Sequence, residues 1–175
     1  MEIISSRSNP KIKQVRALRQ RKARQASGLF VVEGIHHVGE AVDAQAQLAF
    51  IVYAPGRLHS EFAQDLIRRQ SALGIPCYAV TDEVFASLAE KENPQGILAV
   101  IHQPVTTLDD LEPDNFPWGV ALIDPQDPGN VGAIMRTIDA VGASGLLLIS
   151  SGRGDDGVVD PYQPGCVRAS MGSAR

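Results

Sequence analysis

Two polar side chains, Asn130 and Arg136, occur in the segment of this 175-residue chain that is best suited to chemistry. They belong to the run Asp127–Thr137, where proline and glycine precede a helical spacing of apolar residues. A strand that leads through such a turn into a helix is how α/β proteins build ligand sites. A guanidinium stays charged at neutral pH, so Arg136 is suited to binding anionic groups and is a poor base. We predict a binding site here, although the spacing alone does not name the ligand.

The elements around this segment predict how the two side chains are held. The apolar run Val120–Ile123 indicates a strand before it, and Leu146–Ile149 indicates a second strand after it. A helix is expected from Asn130 to Val141, which puts Asn130 at its mouth and Arg136 in its second turn. Asn130 could alternatively serve as a simple N-cap, a role that asparagine fills well.

Two glycines and one loop complete this region. Gly129 and Gly132 are expected to allow a tight turn and a close approach of backbone to ligand. Beyond the second strand, residues 151–157 form a loop rich in glycine and aspartate.

The first 103 residues show a different organisation, in which helical and strand patterns alternate and predict a small α/β domain. Asn9-Pro10 is a typical helix start, and we expect that helix to run to about Gln25, with Gly28 ending it. Residues 104–118 contain three prolines and little periodicity, so they are expected to be a linker to a second unit, 119–175.

Charge is distributed unevenly along the chain. The formal net charge is −4, yet eight of the sixteen basic residues fall within the first 24 positions. Basic segments of this density often contact nucleic acid, and the alternative is a solvated helix face. Two distant cysteines exclude a disulfide framework and a zinc site, so no metal is expected. The absence of a long apolar run or a signal-peptide pattern predicts a cytoplasmic protein without a membrane span.

The order of motifs resembles one known family. Asp127–Thr137, continuing to Ala143, closely resembles the first motif of SpoU-type (TrmH-like) RNA methyltransferases of the SPOUT superfamily. Asp160-Pro161-Tyr162 and the run 167–174 resemble a downstream loop and helix start of that family. Asn93–Val100, Ser5–Lys13 and Phe30–Gly34 resemble parts of its N-terminal substrate-binding domain. The similarity covers essentially the whole chain, in the right order.

The resemblance implies a fold and an activity. The expected fold is α/β, with a ribosomal-protein-like α/β substrate-binding domain over residues 1–103. The first part of an α/β knot methyltransferase domain would follow over residues 119–175, and the knot is an exception to ordinary topology. The implied reaction moves a methyl group from S-adenosylmethionine to a ribose 2′-hydroxyl of rRNA or tRNA. A homodimer through the complete methyltransferase domain is implied, and RNA is the expected partner.

The resemblance also assigns residues. Arg136 would hold the target phosphate and stabilise charge on the 2′-oxygen, with a salt bridge to Asp139 or Asp124 as its structural alternative. Asn130 would orient the arginine or the substrate ribose. The RNA contacts predicted from basic charge and from the motifs are Arg7, Lys11, Lys13, Arg16, Arg19, Arg168 and Ser170.

Two alternatives concern activity. The second and third family motifs, which supply most of the cofactor pocket, are absent up to Arg175, so a C-terminally shortened chain is expected and no cofactor-binding residue is assigned. Such a chain could instead be a non-catalytic module that binds structured RNA. A Rossmann-like dinucleotide enzyme is disfavoured, because the turn lacks G-x-G-x-x-G and the acidic residue expected after a second strand.

Overall fold

A computed structural model describes residues 3–90, 92–114, 116–152 and 158–173. Residues 153–157, most of the predicted glycine- and aspartate-rich loop, lie outside the described residues, as does Ala174 of the last motif. The chain divides into two compact units, Met1–Gln103 and Pro104–Arg175. The predicted α/β fold class is confirmed, since helices and strands alternate in both units.

The first unit is built on a four-stranded mixed sheet. Its strands are β1 (Leu29–Glu33), β2 (Leu48–Tyr53), β3 (Cys77–Ala79) and β4 (Ile97–His102). The order is β1-β4-β2-β3, with β4 antiparallel to both of its neighbours and β2 parallel to β3. Residues 97–101 of β4 are all buried, as expected for a central strand of continuous apolar sequence.

Five helices accompany this sheet in the described part of the first unit. They are α1 (Pro10–Ala17), α2 (Arg21–Ser27), α3 (Ile35–Asp43), α4 (Glu61–Ala72) and α5 (Asp82–Ala86). The predicted helix start is confirmed, because Asn9 Oδ1 accepts the backbone N–H of Lys11 and Pro10 occupies the first helical position. The predicted end is also confirmed, because Gly28 caps α2 with a left-handed φ of 63°.

One prediction for this region was wrong. The continuous helix expected from Pro10 to about Gln25 is interrupted after Ala17, and a second helix begins at Arg21. The Arg24 side chain is 3 % exposed, and its Nη1 donates to the carbonyls of Leu18 at 2.8 Å and Arg19 at 2.9 Å. This guanidinium satisfies carbonyl groups that the end of α1 leaves open, so it stabilises the break.

The second unit contains a β-α-β arrangement. Strand β5 (Val120–Ile123) pairs in parallel with β6 (Leu146–Ile149), and helix α6 (Pro128–Ala140) connects them. A short 3₁₀ turn (Leu108–Asp110) precedes β5, and helix α7 (Pro164–Ser170) follows β6. Both predicted strands are confirmed at their predicted bounds.

Apolar residues of this small sheet remain accessible. Ile123 is 69 % exposed and Ile149 is 43 % exposed, at the carboxyl ends of β5 and β6. Within the part of the chain that the structure describes, none of the helices has the length and apolar character to span a bilayer.

Candidate functional site

Helix α6 begins earlier than the sequence pattern predicts. Asp127 is the N-cap residue, and its Oδ1 accepts the backbone N–H of Asn130 at 2.6 Å, while Pro128 occupies the first helical position. The alternative in which Asn130 caps the helix was therefore wrong. Asn130 is the third helical residue, and its exposed side chain projects from the first turn.

Arg136 is also placed differently from the prediction. It is the ninth residue of α6, in the third turn instead of the second. Six residues of α-helix separate it from Asn130, which corresponds to about 9 Å along the axis. The described structure holds no contact between the two side chains, so Asn130 does not orient Arg136 here.

The Arg136 side chain is exposed, and among the described residues it has one close polar neighbour. Its Nη1 lies 3.0 Å from Sδ of Met171, the residue after α7. In the described residues Arg136 forms no ion pair, so the predicted alternative of a salt bridge to Asp139 or Asp124 was wrong. Asp139 accepts a hydrogen bond from the Ser173 hydroxyl at 3.1 Å, and Asp124 is engaged by Ser151. The Arg136 charge thus stays available to an anion.

Gly132 has a role that its neighbouring residues do not predict. It is buried on the side of α6 that faces α7, where an added Cβ would lie 2.5 Å from the Cys166 carbonyl oxygen and 2.6 Å from the Ala169 Cβ. The predicted approach of backbone to ligand was therefore wrong for Gly132, which is needed for helix contact. The identity of α7 as its neighbour is a long-range property, so no local pattern signals it.

Asp124 ties together the carboxyl ends of the two parallel strands. It follows β5 with a left-handed φ of 47°, and its Oδ1 accepts the backbone N–H of Ser151, just beyond β6, at 2.8 Å. The Ser151 hydroxyl donates to the other carboxylate oxygen. These two hydrogen bonds, the hydroxyl first, lower the pKa of Asp124. Non-glycine residues held in this conformation are found where surrounding contacts fix them, often beside functional sites.

The two predicted RNA contacts near α7 differ in accessibility. Arg168 is exposed on α7. Ser170 is fully buried, and its hydroxyl donates to the Val167 carbonyl at 2.8 Å. Within this chain the Ser170 side chain is closed off from RNA, so the prediction of an RNA contact at Ser170 was wrong.

The predicted basic residues of the first unit fall into two groups. Arg7 and Lys13 are exposed, and in the part of the chain that the structure describes no hydrogen bond or ion pair engages their side chains. Lys11 Nζ lies 4.9 Å from the centre of the Phe50 ring, which is a cation–π distance.

The other two cations of that group contact the residues that follow α5. Arg19 Nη2 donates to the carbonyls of Leu88 and Ala89, both at 2.9 Å, and Arg16 Nη2 is 3.4 Å from the Ser87 hydroxyl. These contacts give Arg16 and Arg19 a structural role that the count of charges could not reveal.

A cavity of about 600 Å³ lies within the second unit. Its lining includes Met135 and Asp139 of α6, the leucines of β6, and Tyr162, whose pKa is raised by burial and then by the charge of Asp160. Cys166 lies fully buried at the α6–α7 contact, and burial followed by the Asp160 charge raises the pKa of its thiol to about 11.

Among the described residues of the second unit, no buried side-chain nitrogen or oxygen lacks a hydrogen-bond partner, so none of these atoms is assigned to S-adenosylmethionine. The described residues also contain no group of three or more histidine, cysteine, aspartate and glutamate side chains able to hold a metal.

Two family models match the chain in succession. Residues 9–99 match the MRM3-like substrate binding domain, and residues 117–175 match the SpoU rRNA Methylase family. The 23S rRNA (guanosine(2553)-2′-O)-methyltransferase of Bacillus subtilis is 34% identical over 176 residues, which cover 99% of this chain and 62% of the relative. The 23S rRNA (uridine(2479)-2′-O)-methyltransferase of Streptomyces viridochromogenes is 33% identical, with 97% of this chain and 56% of the relative covered.

Solved structures agree with the sequence relatives. The AdoMet-bound rRNA methyltransferase from Sinorhizobium meliloti superposes with a TM-score of 0.82 at 32% identity, covering 99% of this chain and 61% of that one. This chain therefore spans about three fifths of the length of the proteins it matches. The two family matches, in the order found here, show that the chain belongs to the SpoU family of RNA methylases and begins with an MRM3-like substrate-binding domain.

Proposed function

We propose that this chain is part of an S-adenosylmethionine-dependent RNA methyltransferase that modifies a ribose 2′-hydroxyl of rRNA. The observation that carries the proposal is the state of Arg136. It lies at the family's motif position on α6, exposed, and with no ion pair among the described residues to neutralise it. The relatives named above, which modify 23S rRNA, support rRNA as the substrate class.

The chemistry of the hydroxyl explains why a free guanidinium is needed. When bound, S-adenosylmethionine would supply the methyl group from its sulfonium sulfur, so S-adenosylhomocysteine would leave as the O–C bond forms. The 2′-hydroxyl proton is lost to water, and negative charge develops on the oxygen as that proton leaves. A fixed positive charge beside this position stabilises the transition state more than the ground state. Arg136 fits this role by donating N–H groups to the oxygen and to the adjacent phosphate, and it does not accept the proton.

Asn130 and Arg168 have supporting roles in the proposal. The exposed carboxamide of Asn130 is in the first turn of α6, where it can hydrogen-bond a ribose hydroxyl. Arg168 is exposed on α7, which packs against α6, so it is a candidate phosphate contact.

The two units divide the work in this proposal. Residues 1–103 form the RNA substrate-binding domain, 104–118 form a linker at the start of the second unit, and 119–175 form part of the methyltransferase domain. Arg7 and Lys13 are the proposed phosphate contacts of the first unit, because among the described residues no hydrogen bond or ion pair engages their side chains. Activity in a complete protein, a homodimer and a cytoplasmic location are part of the same proposal. The Bacillus subtilis relative, named for a ribosomal RNA, supports the location.

The direct test is methyl incorporation by the complete protein that is proposed to contain this chain. Radiolabelled S-adenosylmethionine and unmodified 23S rRNA are incubated with it, and 2′-O-methylation is scored by resistance of the modified linkage to alkali. Arg136→Ala is expected to lower incorporation roughly 100- to 1000-fold, the range for loss of one charge-stabilising donor. Arg68→Ala is the matched control, because Arg68 is an exposed arginine paired with Asp65 in the first unit.

Two results would contradict the proposal. Incorporation that is equal in the wild-type complete protein and in its Arg136→Ala variant removes Arg136 from the reaction. Tight binding of 23S rRNA by the complete protein without any incorporation identifies it as an RNA-binding module, the alternative function.

The assignment of phosphate contacts needs a separate measurement. Affinity for 23S rRNA is measured at several salt concentrations for Lys13→Ala and Arg19→Ala. Loss of one phosphate contact reduces the slope of log K against log salt by about 1, so Lys13→Ala should flatten it. Arg19→Ala should leave the slope unchanged, because Arg19 binds carbonyls of its own unit.

A further inference from the structure

Met171 adopts a backbone conformation that its residue type disfavours. It is the C-cap of α7, with φ 48° and ψ 46°, in the left-handed region. Glycine usually occupies this position after a helix, because a Cβ is strained there. The next residue is Gly172, which also has a positive φ of 95°. The chain therefore holds a strained methionine at the position where glycine would relieve the strain.

The Met171 side chain makes a contact that accounts for this choice. Its Sδ lies 3.0 Å from Nη1 of Arg136, on the neighbouring helix. Met171 is 41 % exposed, so burial of its side chain in a core does not explain its presence. A residue held in an unfavourable backbone conformation without a local stabilising contact indicates a favourable contact elsewhere. Here that contact is the fixed thioether of Met171 beside the Arg136 guanidinium.

A second contact holds the same segment against α6. The Ser173 hydroxyl donates to Asp139 Oδ2 at 3.1 Å, and Asp139 is three residues beyond Arg136 on α6. Gly132 holds α7 against the preceding turn of α6. The contacts at Gly132 and at Asp139 lie before and after Arg136 along α6, and together they fix the position of the Met171 thioether. That position does not depend on a single flexible side chain.

We propose that Met171 is a positioning residue for Arg136. Its left-handed backbone and thioether hold the exposed guanidinium in one orientation, so the charge is directed before RNA arrives. A long exposed arginine otherwise loses several rotamers on binding, and prior ordering removes that cost. The inference rests on the proposed role of Arg136 in RNA methylation, and it adds a residue outside the Asp127–Thr137 motif to that site.

Met171→Gly tests the inference, because it separates stability from positioning. Glycine removes the left-handed strain, so the variant should unfold at the same or a higher urea concentration. The ordering of Arg136 is measured by ¹⁵N relaxation of its Nε–H group in the full chain. We expect a clear drop of the order parameter in Met171→Gly and wild-type ordering in Met135→Leu, the control at the other methionine of this unit.

Affinity for 23S rRNA supplies the second readout. Met171→Gly should weaken binding about three- to tenfold, the range for one coupled contact. In the Arg136→Ala background the same substitution should have no further effect, because Met171 acts through Arg136.

Different results would contradict the positioning role of Met171 and the proposed function. An Arg136 order parameter that is unchanged in Met171→Gly overturns the positioning role, as does a Met171 effect on binding that persists without Arg136. If Met171→Gly disorders Arg136 while Arg136→Ala leaves rRNA binding and methylation unchanged, the proposed function is refuted. The contact between the two side chains is then retained.

Discussion

Gly132→Ala is expected to destabilise the second unit even though alanine favours helix. An added Cβ would lie 2.5 Å from the Cys166 carbonyl oxygen, 2.6 Å from the Ala169 Cβ and 3.0 Å from the Ser170 nitrogen, and ordinary contact begins near 3.4 Å. Two of these three atoms belong to the α7 backbone, so no rotamer change relieves the overlap. Helix α7 itself must retreat by most of an ångström.

The magnitude follows from two opposing effects. Overpacking of this kind costs about 1–3 kcal/mol. Replacing glycine by alanine inside a helix stabilises the helix by about 1 kcal/mol. We therefore expect Gly132→Ala to lower the free energy of unfolding by roughly 1–2 kcal/mol, since rigid backbone atoms place the clash toward the upper part of its range. This corresponds to a fall in Tm of about 4–15 °C for a unit of this size.

The chain offers a matched control and a built-in probe. Gly129 lies in the same helix, and a Cβ there meets only the end of the Asp127 side chain at 3.1 Å. Gly129→Ala should therefore be neutral or slightly stabilising. Trp118 is the sole tryptophan and lies in the second unit, so its fluorescence during urea unfolding reports on this unit. A Gly132→Ala variant that is as stable as Gly129→Ala would refute the close contact of α6 with α7.

Three further predictions concern other features. Arg24→Met should cost about 2–3 kcal/mol, measured by far-UV circular dichroism in urea, because two carbonyls lose a charged donor; equal stability would contradict the role of Arg24 at the break after α1. Burial keeps the Cys166 thiol protonated up to a pKa of about 11, against an ordinary 9.0, so stability should fall as pH rises from 9 to 11. The fall should reach roughly 2–3 kcal/mol, and Cys166→Ala should reduce the slope by about this amount, leaving the contribution of groups such as Tyr162, whose pKa burial also raises; an unchanged slope in the variant would contradict it. Ser151→Ala should raise the lowered pKa of Asp124 toward its usual range, as measured by carboxyl ¹³C NMR titration, and no change would show that the hydroxyl is not its main cause.

Local chemistry predicted those features whose causes lie within a few residues. Asn9-Pro10 fixed the start of α1, and Gly28 ended α2, because capping depends on neighbouring atoms alone. The same chemistry was ambiguous at Asp127 and Asn130, since both residue types cap helices. Pro128 resolves the ambiguity, because proline favours the first helical position and so assigns the cap to Asp127.

Local sequence patterns did not predict the features that depend on contacts between residues far apart in the chain. The break after Ala17 contains no proline or glycine, and it depends on the Arg24 side chain folding back onto the end of α1. The charge pattern likewise predicted Arg7 and Arg19 as equivalent RNA contacts. Only the position of the residues after α5 distinguishes the exposed Arg7 from Arg19, whose guanidinium binds two carbonyls.

The motif Asp127–Thr137 therefore combines two physical tasks on the same side of one helix. Gly132 gives α6 a surface on which the α7 backbone can lie, and this contact brings the left-handed Met171 to Arg136. Gly132 and Arg136 are four residues apart on α6, which is about one helical turn. The packing contact and the charged group therefore cannot move independently. A substitution that displaces α7 should consequently disorder Arg136 without touching it. Gly132→Ala is therefore expected to lower the order parameter of the Arg136 Nε–H group at urea concentrations where the unit is still folded, and retention of full ordering there would separate the two tasks.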